Sequence, residues 1–266
     1  MEFRTCGNMG VFFAGRWGPR RVPVVLKLNA NEQELAWMPA VAARAADLVP
    51  AVYAAGATLG DVDVGWLVLA DTPHRFDSAR AEDCRGLMAA AARFQQVAAD
   101  IDGPTYAIDR GFFDLYLPMA VNAGCPGPGV EVLDRMPSDL AWLDQTGPQI
   151  RCHGDVHFAN AVSTEPGGRL LLVDPIPRTA HWAWDAAYAE GTSGVPGTPP
   201  LVPLLAEARQ HLGLAAAAGG TLTHIEAILL GWSSMLWWAI VPYRRTDPWW
   251  AEKVRTHVHR LADLPQ

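Results

Sequence analysis

Between Ile150 and Asp174 the chain carries the pattern that most limits what it can become. Gln149-Ile150-Arg151-Cys152 reads as a short strand entering a polar turn, His153-Gly154-Asp155, and Asn160 follows five residues after that aspartate. Ala161-Val162-Ser163 and Arg169 to Val173 then flank a turn-rich run, Thr164-Glu165-Pro166-Gly167-Gly168, which predicts a β-hairpin. With Ser163 opposite Leu171, the register sets Asn160 opposite Asp174. An amide oxygen and a carboxylate then meet at the open end of the hairpin, with Asp155 just upstream.

Oxygen donors of this kind suit Mg²⁺, which takes few protein ligands and fills its shell with phosphate oxygens. A carboxylate beside such a site can accept the proton of an attacking hydroxyl. Phosphoryl transfer also needs a cation on the nucleotide. Lys27 is the candidate, as the single charge in the apolar strand Val24-Val25-Leu26-Lys27-Leu28. A lysine at the edge of a sheet is the competing reading. If buried, Lys27 needs a partner from the helix that follows, Glu34 or Glu32, and the spacing to Leu48-Val49-Pro50 favours Glu34. His153 is read as a hydrogen-bonding support of the loop. His157 is a zinc candidate only if further His or Cys ligands join it.

The rest of the chain supplies two kinds of structure. Val11-Phe12-Phe13 and Val22 to Leu28 flank the turn cluster Gly15 to Pro19, a helix is expected over Glu32 to Asp47, and strands over Ala51 to Ala55 and Trp66 to Leu69. Beyond Asp71-Thr72-Pro73 the periodicity becomes helical. Leu87, Ala90, Phe94, Val97 and Ile101 form one face, and Leu133, Leu140 and Leu143 belong to a segment interrupted by Pro137. Gly191 to Pro200 reads as a loop. Asp247-Pro248 marks a helix start, with Val254, Val258 and Leu261 on its buried face. The expectation is an α+β, bilobal fold: a short β-rich lobe over residues 1–72 and a larger helical lobe over 73–266.

His153-Gly154-Asp155 with Asn160, then Val173-Asp174-Pro175 and Trp184-Asp185-Ala186-Ala187-Tyr188, resembles the aminoglycoside phosphotransferase family, within the wider group that shares the protein-kinase fold. The match covers residues 151 to 188. The resemblance implies a bilobal kinase-like fold with Asp155 as catalytic base, Asn160 and Asp174 as magnesium ligands, and Asp185 as a structural aspartate. It also implies ATP or GTP as donor and a small-molecule hydroxyl as acceptor, an antibiotic first (resistance by O-phosphorylation) and an amino alcohol or sugar second. The chain departs from protein kinases in following Asp174 with Pro175-Ile176. Gly7-Asn8-Met9-Gly10 is a thin phosphate-covering loop, and Met1 lies so close that no upstream helix is expected. Two rivals come from other classes: a metal-dependent phosphoester hydrolase using Asp155, His157 and Asp174, and a nucleotide-binding pseudokinase.

Charge narrows the partners. A net charge of -7 over 266 residues argues against nucleic acid or an anionic membrane as the main partner, and tolerates a cationic acceptor. Asp109, Asp114, Asp139 and Asp144 are the carboxylates such an acceptor would meet, although a solvated helix face explains most of them. The tryptophans at 182, 184, 237, 238, 249 and 250 are read as core residues with no site role. Cys6, Cys84, Cys125 and Cys152 are scattered without a C-x-x-C pair or an apolar leader, so reduced thiols in the cytoplasm are expected. The apolar run Ala227 to Pro242 is short for a bilayer and contains Ser233 and Ser234, which predicts a buried helix. Nothing in the chain points to an oligomeric state.

Overall fold

Alternating apolar residues near the N-terminus pair into one antiparallel sheet. The computed structural model describes residues 2–6, 10–77, 80–193 and 197–265. Its strands are β1 (Glu2–Cys6), β2 (Gly10–Trp17), β3 (Val22–Leu28), β4 (Val52–Gly56) and β5 (Trp66–Ala70), in spatial order β1-β2-β3-β5-β4. β2 runs on through Gly15, Arg16 and Trp17, which the sequence pattern assigns to the turn, because they continue the ladder opposite Val24, Pro23 and Val22. The reversal falls at Gly18 to Arg21, where Gly18 takes φ +66° and Arg21 N–H closes on the Gly18 carbonyl at 3.0 Å.

Helix α1 (Glu32–Arg44) starts on Asn31, whose side chain accepts from the Glu34 amide at 2.8 Å. It ends before the expected Asp47, since Ala45 leaves helical geometry and the next apolar residues, Leu48 and Val49, turn into the core. Trp37, Met38 and Val41 form its fully buried face. A two-residue strand, β6 (His74–Arg75), precedes α2 (Ala81–Ala98), whose buried stripe includes Leu87, Ala91, Phe94 and Ala98.

Next come β7 (Tyr106–Ala107), α3 (Arg110–Asn122) and α4 (Gly129–Thr146). α4 passes straight through Pro137 rather than breaking there. Proline forfeits one backbone bond, while Val132, Met136 and Leu143 on either side are buried and hold the helix to the core. The short strands β8 (Gln149–Cys152), β9 (Ala161–Ser163), β10 (Leu171–Leu172) and β11 (Arg178–His181) follow. They form two small sheets, β10-β9-β6 and β7-β11-β8.

The last four helices are α5 (Trp184–Thr192), α6 (Leu201–His211), α7 (Gly219–Ile240) and α8 (Pro248–Ala262). Gly191 is helical, not part of the expected loop, because α5 presses on α7 there. A Cβ on Gly191 would lie 2.2 Å from Ser233 Oγ. The apolar run in α7 is buried through Ile228, Trp232 and Met235, and among the described residues no helix is long and apolar enough to cross a membrane. Asp247 caps α8 by accepting from the Trp249 and Trp250 amides, and Val254, Val258 and Leu261 are buried. Cys125 and Cys152 are free thiols, and Cys84 is buried.

Candidate active site

The turn after β8 is held from below. Asp185, in the first turn of α5 and fully buried, accepts from the His153 amide at 3.2 Å, the Gly154 amide at 2.9 Å and Gln95 Nε2 at 3.2 Å. Burial pushes the Asp185 carboxyl up to about 6, against the pull of those donors. Gly154 has φ +81°, and a Cβ there would lie 2.0 Å from the Ile176 carbonyl, so only glycine fits. Arg209 Nη1 donates to Gln95 Oε1 at 2.5 Å, extending the support to α6.

His153 is fully buried, edge-on to Phe94 with centroids 5.0 Å apart, and its Nδ1 accepts from the Asp155 amide at 3.4 Å. Burial pulls its pKa down to about 4, so the ring is neutral and shapes the loop rather than carrying a proton.

Asp155 sits at the tip. Tyr188 Oη donates to its Oδ1 at 2.7 Å, and Asn160 Nδ2 donates to its Oδ2 at 2.9 Å and to its carbonyl at 3.0 Å. His157 Nε2 lies 3.6 Å from Oδ2. Burial alone would raise the Asp155 pKa, but His157 and Tyr188 outweigh it and hold the carboxyl below its ordinary value. The result is an ionised carboxylate, oriented on both oxygens, with lone pairs to spare.

The hairpin register differs from the sequence expectation by one residue. Leu171 pairs with Val162 and Leu172 with Ala161, so Val173 faces Asn160, its N–H bonding the Asn160 carbonyl at 3.0 Å. Ser163 pairs with His74 of β6 instead of Leu171. Asp174 still reaches the site, by a different route. Its backbone enters the left-handed region at φ 56°, tolerable for aspartate, and its Oδ1 accepts from Lys27 Nζ at 2.8 Å.

Lys27 lies on β3 between β2 and β5, so it is not an edge-strand charge. It is 5% exposed and contacts Glu34 Oε1 at 2.5 Å as well as Asp174. Burial would lower the ammonium's pKa, yet the two carboxylates raise it above the ordinary lysine value. Burial pushes Glu34 up to about 7 against the pull of Lys27. Of the two glutamates weighed on α1, the structure brings Glu34 to the lysine. Gly7, Asn8 and Met9 of the expected phosphate-covering loop lie outside the described residues.

For a metal, the remaining oxygens are Asn160 Oδ1, which accepts no hydrogen bond among the described residues, and the Asp174 carboxylate, whose side chain is 37% exposed. Both are hard donors and fit Mg²⁺. Among the described residues no group of three or more His, Cys, Asp or Glu is placed to hold a metal.

Beside Gly154 and Tyr188 lies a part-open pocket of about 90 Å³. Phe112, Tyr116 and Trp184 line it together with Arg178, Leu236 and Ile240. Trp184 is a core residue, 1% exposed, that also borders this pocket. Tyr188, Arg178 and Gln95 were not anticipated as site residues. Tyr188 closes the motif that begins at Trp184, three residues after Asp185 on the same helix face, which is the one local signal available. The carboxylates weighed for a cationic acceptor are engaged elsewhere. Asp109 caps α3, Asp114 pairs with Arg110, Asp139 is buried against Arg135, and Asp144 accepts from Gln149.

Residues 12–175, more than half the chain, match the profile of APH, the phosphotransferase enzyme family. The chain belongs to that phosphotransferase family. Solved structures agree in fold. A choline/ethanolamine kinase family protein from Mesorhizobium loti superposes with a TM-score of 0.66 at 15% identity, covering 100% of this chain and 89% of the other. A microcompartment-associated aminopropanol kinase gives 0.63 at 11% identity, covering 98% and 90%. A thermostable mutant of the aminoglycoside phosphotransferase APH(4)-Ia, in ternary complex with AMP-PNP and hygromycin B, gives 0.60 at 12% identity, covering 99% and 94%. No curated protein matches this phosphotransferase at the sequence level. The fold is thus the expected α+β, kinase-like one, and the small-molecule kinases it resembles in structure are named for more than one acceptor.

Proposed function

We propose that this phosphotransferase moves the γ-phosphate of ATP or GTP to a hydroxyl of a small molecule, with Asp155 as general base. The observation that carries the reading is the Asp155 carboxylate, kept ionised next to Gly154 and Tyr188 of a part-open pocket, in the loop that leads through Asn160 to the Lys27–Asp174 pair. Residues 1–72 form the nucleotide-binding lobe in this reading, and residues 73–266 carry the catalytic loop and the acceptor.

Asp155 takes the hydroxyl proton as the new O–P bond forms and the bond to the nucleoside diphosphate breaks, a contribution of about 10²–10⁴-fold for a positioned base. Lys27 holds donor phosphates and is itself held by Glu34. Asn160 Oδ1 and Asp174 are the groups that would hold Mg²⁺, which supplies charge neutralisation on the phosphates. His153 and Asp185 keep the loop in shape. An antibiotic acceptor with a resistance role is the narrower form of the proposal, and a metabolite kinase its alternative.

The test incubates the protein with Mg²⁺ and ATP or GTP against antibiotics, amino alcohols, sugars and hydroxy acids, reading phosphorylated products by mass spectrometry. Nucleotide-dependent transfer is expected. Phosphate release from simple esters without nucleotide would replace the reading with a metal-dependent hydrolase, and nucleotide binding without any transfer would leave a pseudokinase.

A further inference from the structure

The pocket beside Asp155 has a chemical polarity of its own. Among its lining residues Arg178 is the one charged side chain, and the remainder are aromatic or aliphatic apart from Gly154. Arg178 is half-buried on β11, which the ladder between β7 and β8 fixes in place. Its guanidinium makes no hydrogen bond and no ion pair among the described residues. It rests on two rings, 5.2 Å from the Tyr106 centroid and 5.8 Å from that of Phe112. Five N–H donors in a fixed fork, partly desolvated and without an acceptor, form an incomplete site for a planar anion.

An aromatic-walled pocket would ordinarily suit a cationic head group. Here the chain's own guanidinium already covers the faces of Tyr106 and Phe112, so a second cation would meet like charge over rings already in use. No carboxylate lines the pocket to offset it. The carboxylate that bears on Arg178 is Asp155, together with the phenols of Tyr188, Tyr116 and Tyr106. Asp155 lies beyond Gly154, and both its oxygens are already turned to Tyr188 and Asn160. The pocket therefore offers a donor at Arg178, whose Cγ would lie 2.5 Å from a Cβ on Gly154, and a hydroxyl acceptor just beyond Gly154 at Asp155, within aromatic and aliphatic walls.

We infer that the acceptor is a hydroxy acid: a compact apolar or aromatic body with a carboxylate held by Arg178 and its hydroxyl presented to Asp155. The inference rests on the proposed phosphotransferase reading and names its substrate class. Arg178 is the specificity-determining residue. An amine-bearing acceptor is correspondingly disfavoured.

Three probes that differ only in charge test this: 4-(hydroxymethyl)benzoate, the matching benzamide and the matching benzylamine. Their binding is measured by calorimetry on protein saturated with AMP-PNP and Mg²⁺, so that no anion competes for the nucleotide site, and their phosphorylation is measured with ATP. The benzoate is expected to bind at least about 10-fold more tightly than either partner. Arg178→Met should weaken it by about 10²-fold, in the range for truncating one partner of a desolvated charge pair. The same change should leave the amide nearly unaffected, and Arg178→Lys should retain part of the preference.

Tighter binding of the amine, equal binding of all three, or no binding of the benzoate above the amide would overturn the assignment. So would an Arg178→Met enzyme whose nucleotide KM rises while the acceptor ranking stays, since that places the guanidinium on the nucleotide. Anion-selective binding with no phosphate transfer keeps the pocket's selectivity and sinks the phosphotransferase reading. Amine-selective transfer does the reverse.

Discussion

Against burial, His157, by hydrogen bond and by charge, and then Tyr188, by hydrogen bond, hold the Asp155 carboxyl below its ordinary value. Asp155→Asn keeps the shape, because the amide oxygen can face Asn160 while the NH₂ faces Tyr188 Oη, which accepts as well as donates. The chemical step should fall by about 10²–10⁴-fold with nucleotide affinity kept, read by single-turnover kinetics. A near-unchanged kcat would remove the base from this loop. Tyr188→Phe probes the other oxygen. Asp155 acts in its ionised form, so kcat/KM declines as pH falls through its pKa. Losing the Tyr188 bond takes away one of the influences that depress that pKa, so the acid limb of the pH profile should move to higher pH. An unmoved limb would show that Tyr188 only packs.

Two contacts between elements place charged groups in the interior. Lys27 on β3 and Glu34 on α1 are 6% and 3% exposed as side chains. Lys27 is Glu34's main compensation, while Lys27 is compensated by Asp174 as well as Glu34. Lys27→Met should cost about 3–5 kcal/mol, the usual loss when one partner of a buried pair is removed, and should raise the nucleotide KM. Adding Glu34→Gln should recover part of the stability but none of the nucleotide affinity. Urea midpoints and nucleotide titrations separate the two effects, and a single mutant as stable as its parent would contradict this account. At the far end of α5, Glu190 Oε2 accepts from the Leu201 amide at 2.7 Å and so starts α6. Burial pushes that carboxyl up to about 7, with Glu226 adding to the rise and Lys253 and Arg260 opposing it. A raised carboxyl favours the protonated fold. Its contribution is complete below the ordinary value of 4.5 and is lost as pH rises through about 7. Glu190→Gln should flatten the fall in stability over that window, measured by urea midpoints across pH.

At the scale of the molecule, Lys27 and Asp174 are 147 residues apart in sequence and 2.8 Å apart in space, tying the five-stranded sheet to the loop after β10. A nucleotide seated there stabilises the whole fold by mass action, by about 2.7 kcal/mol at 100 times its Kd. Mg²⁺ with ATP should therefore raise the unfolding midpoint more than ATP with a chelator. Asp174→Asn, chosen because asparagine also accepts the left-handed backbone, should erase the metal-dependent part of that rise and lower the ligand-free midpoint as well, because the buried Lys27 loses a charged partner. Differential scanning fluorimetry reads this directly, and an intact metal-dependent shift would take Asp174 out of the metal site.

Strands β2 to β5, the helix start at Asp247-Pro248 and the turn from His153 to Asn160 were legible because each depends on neighbours within a few residues, whereas β1 and α3 were not assigned from the sequence. Alternation, an N-cap or a glycine at positive φ acts locally, so residue order alone determines it. Glu34 was found the same way, from its place on the helix following the lysine strand. The hairpin register was not legible: pairing with β6 and burial of Leu171 and Leu172 set it, and alternation alone put Asn160 one residue out. Nor did any local signal announce that Pro137 would be tolerated, that Gly191 would carry a helix contact, or that Trp184, Tyr188 and Arg178 would share a pocket. Those outcomes depend on which surfaces meet when distant segments close on each other. Order along the chain selected the chemistry of the loop; packing across the chain decided what stands beside it.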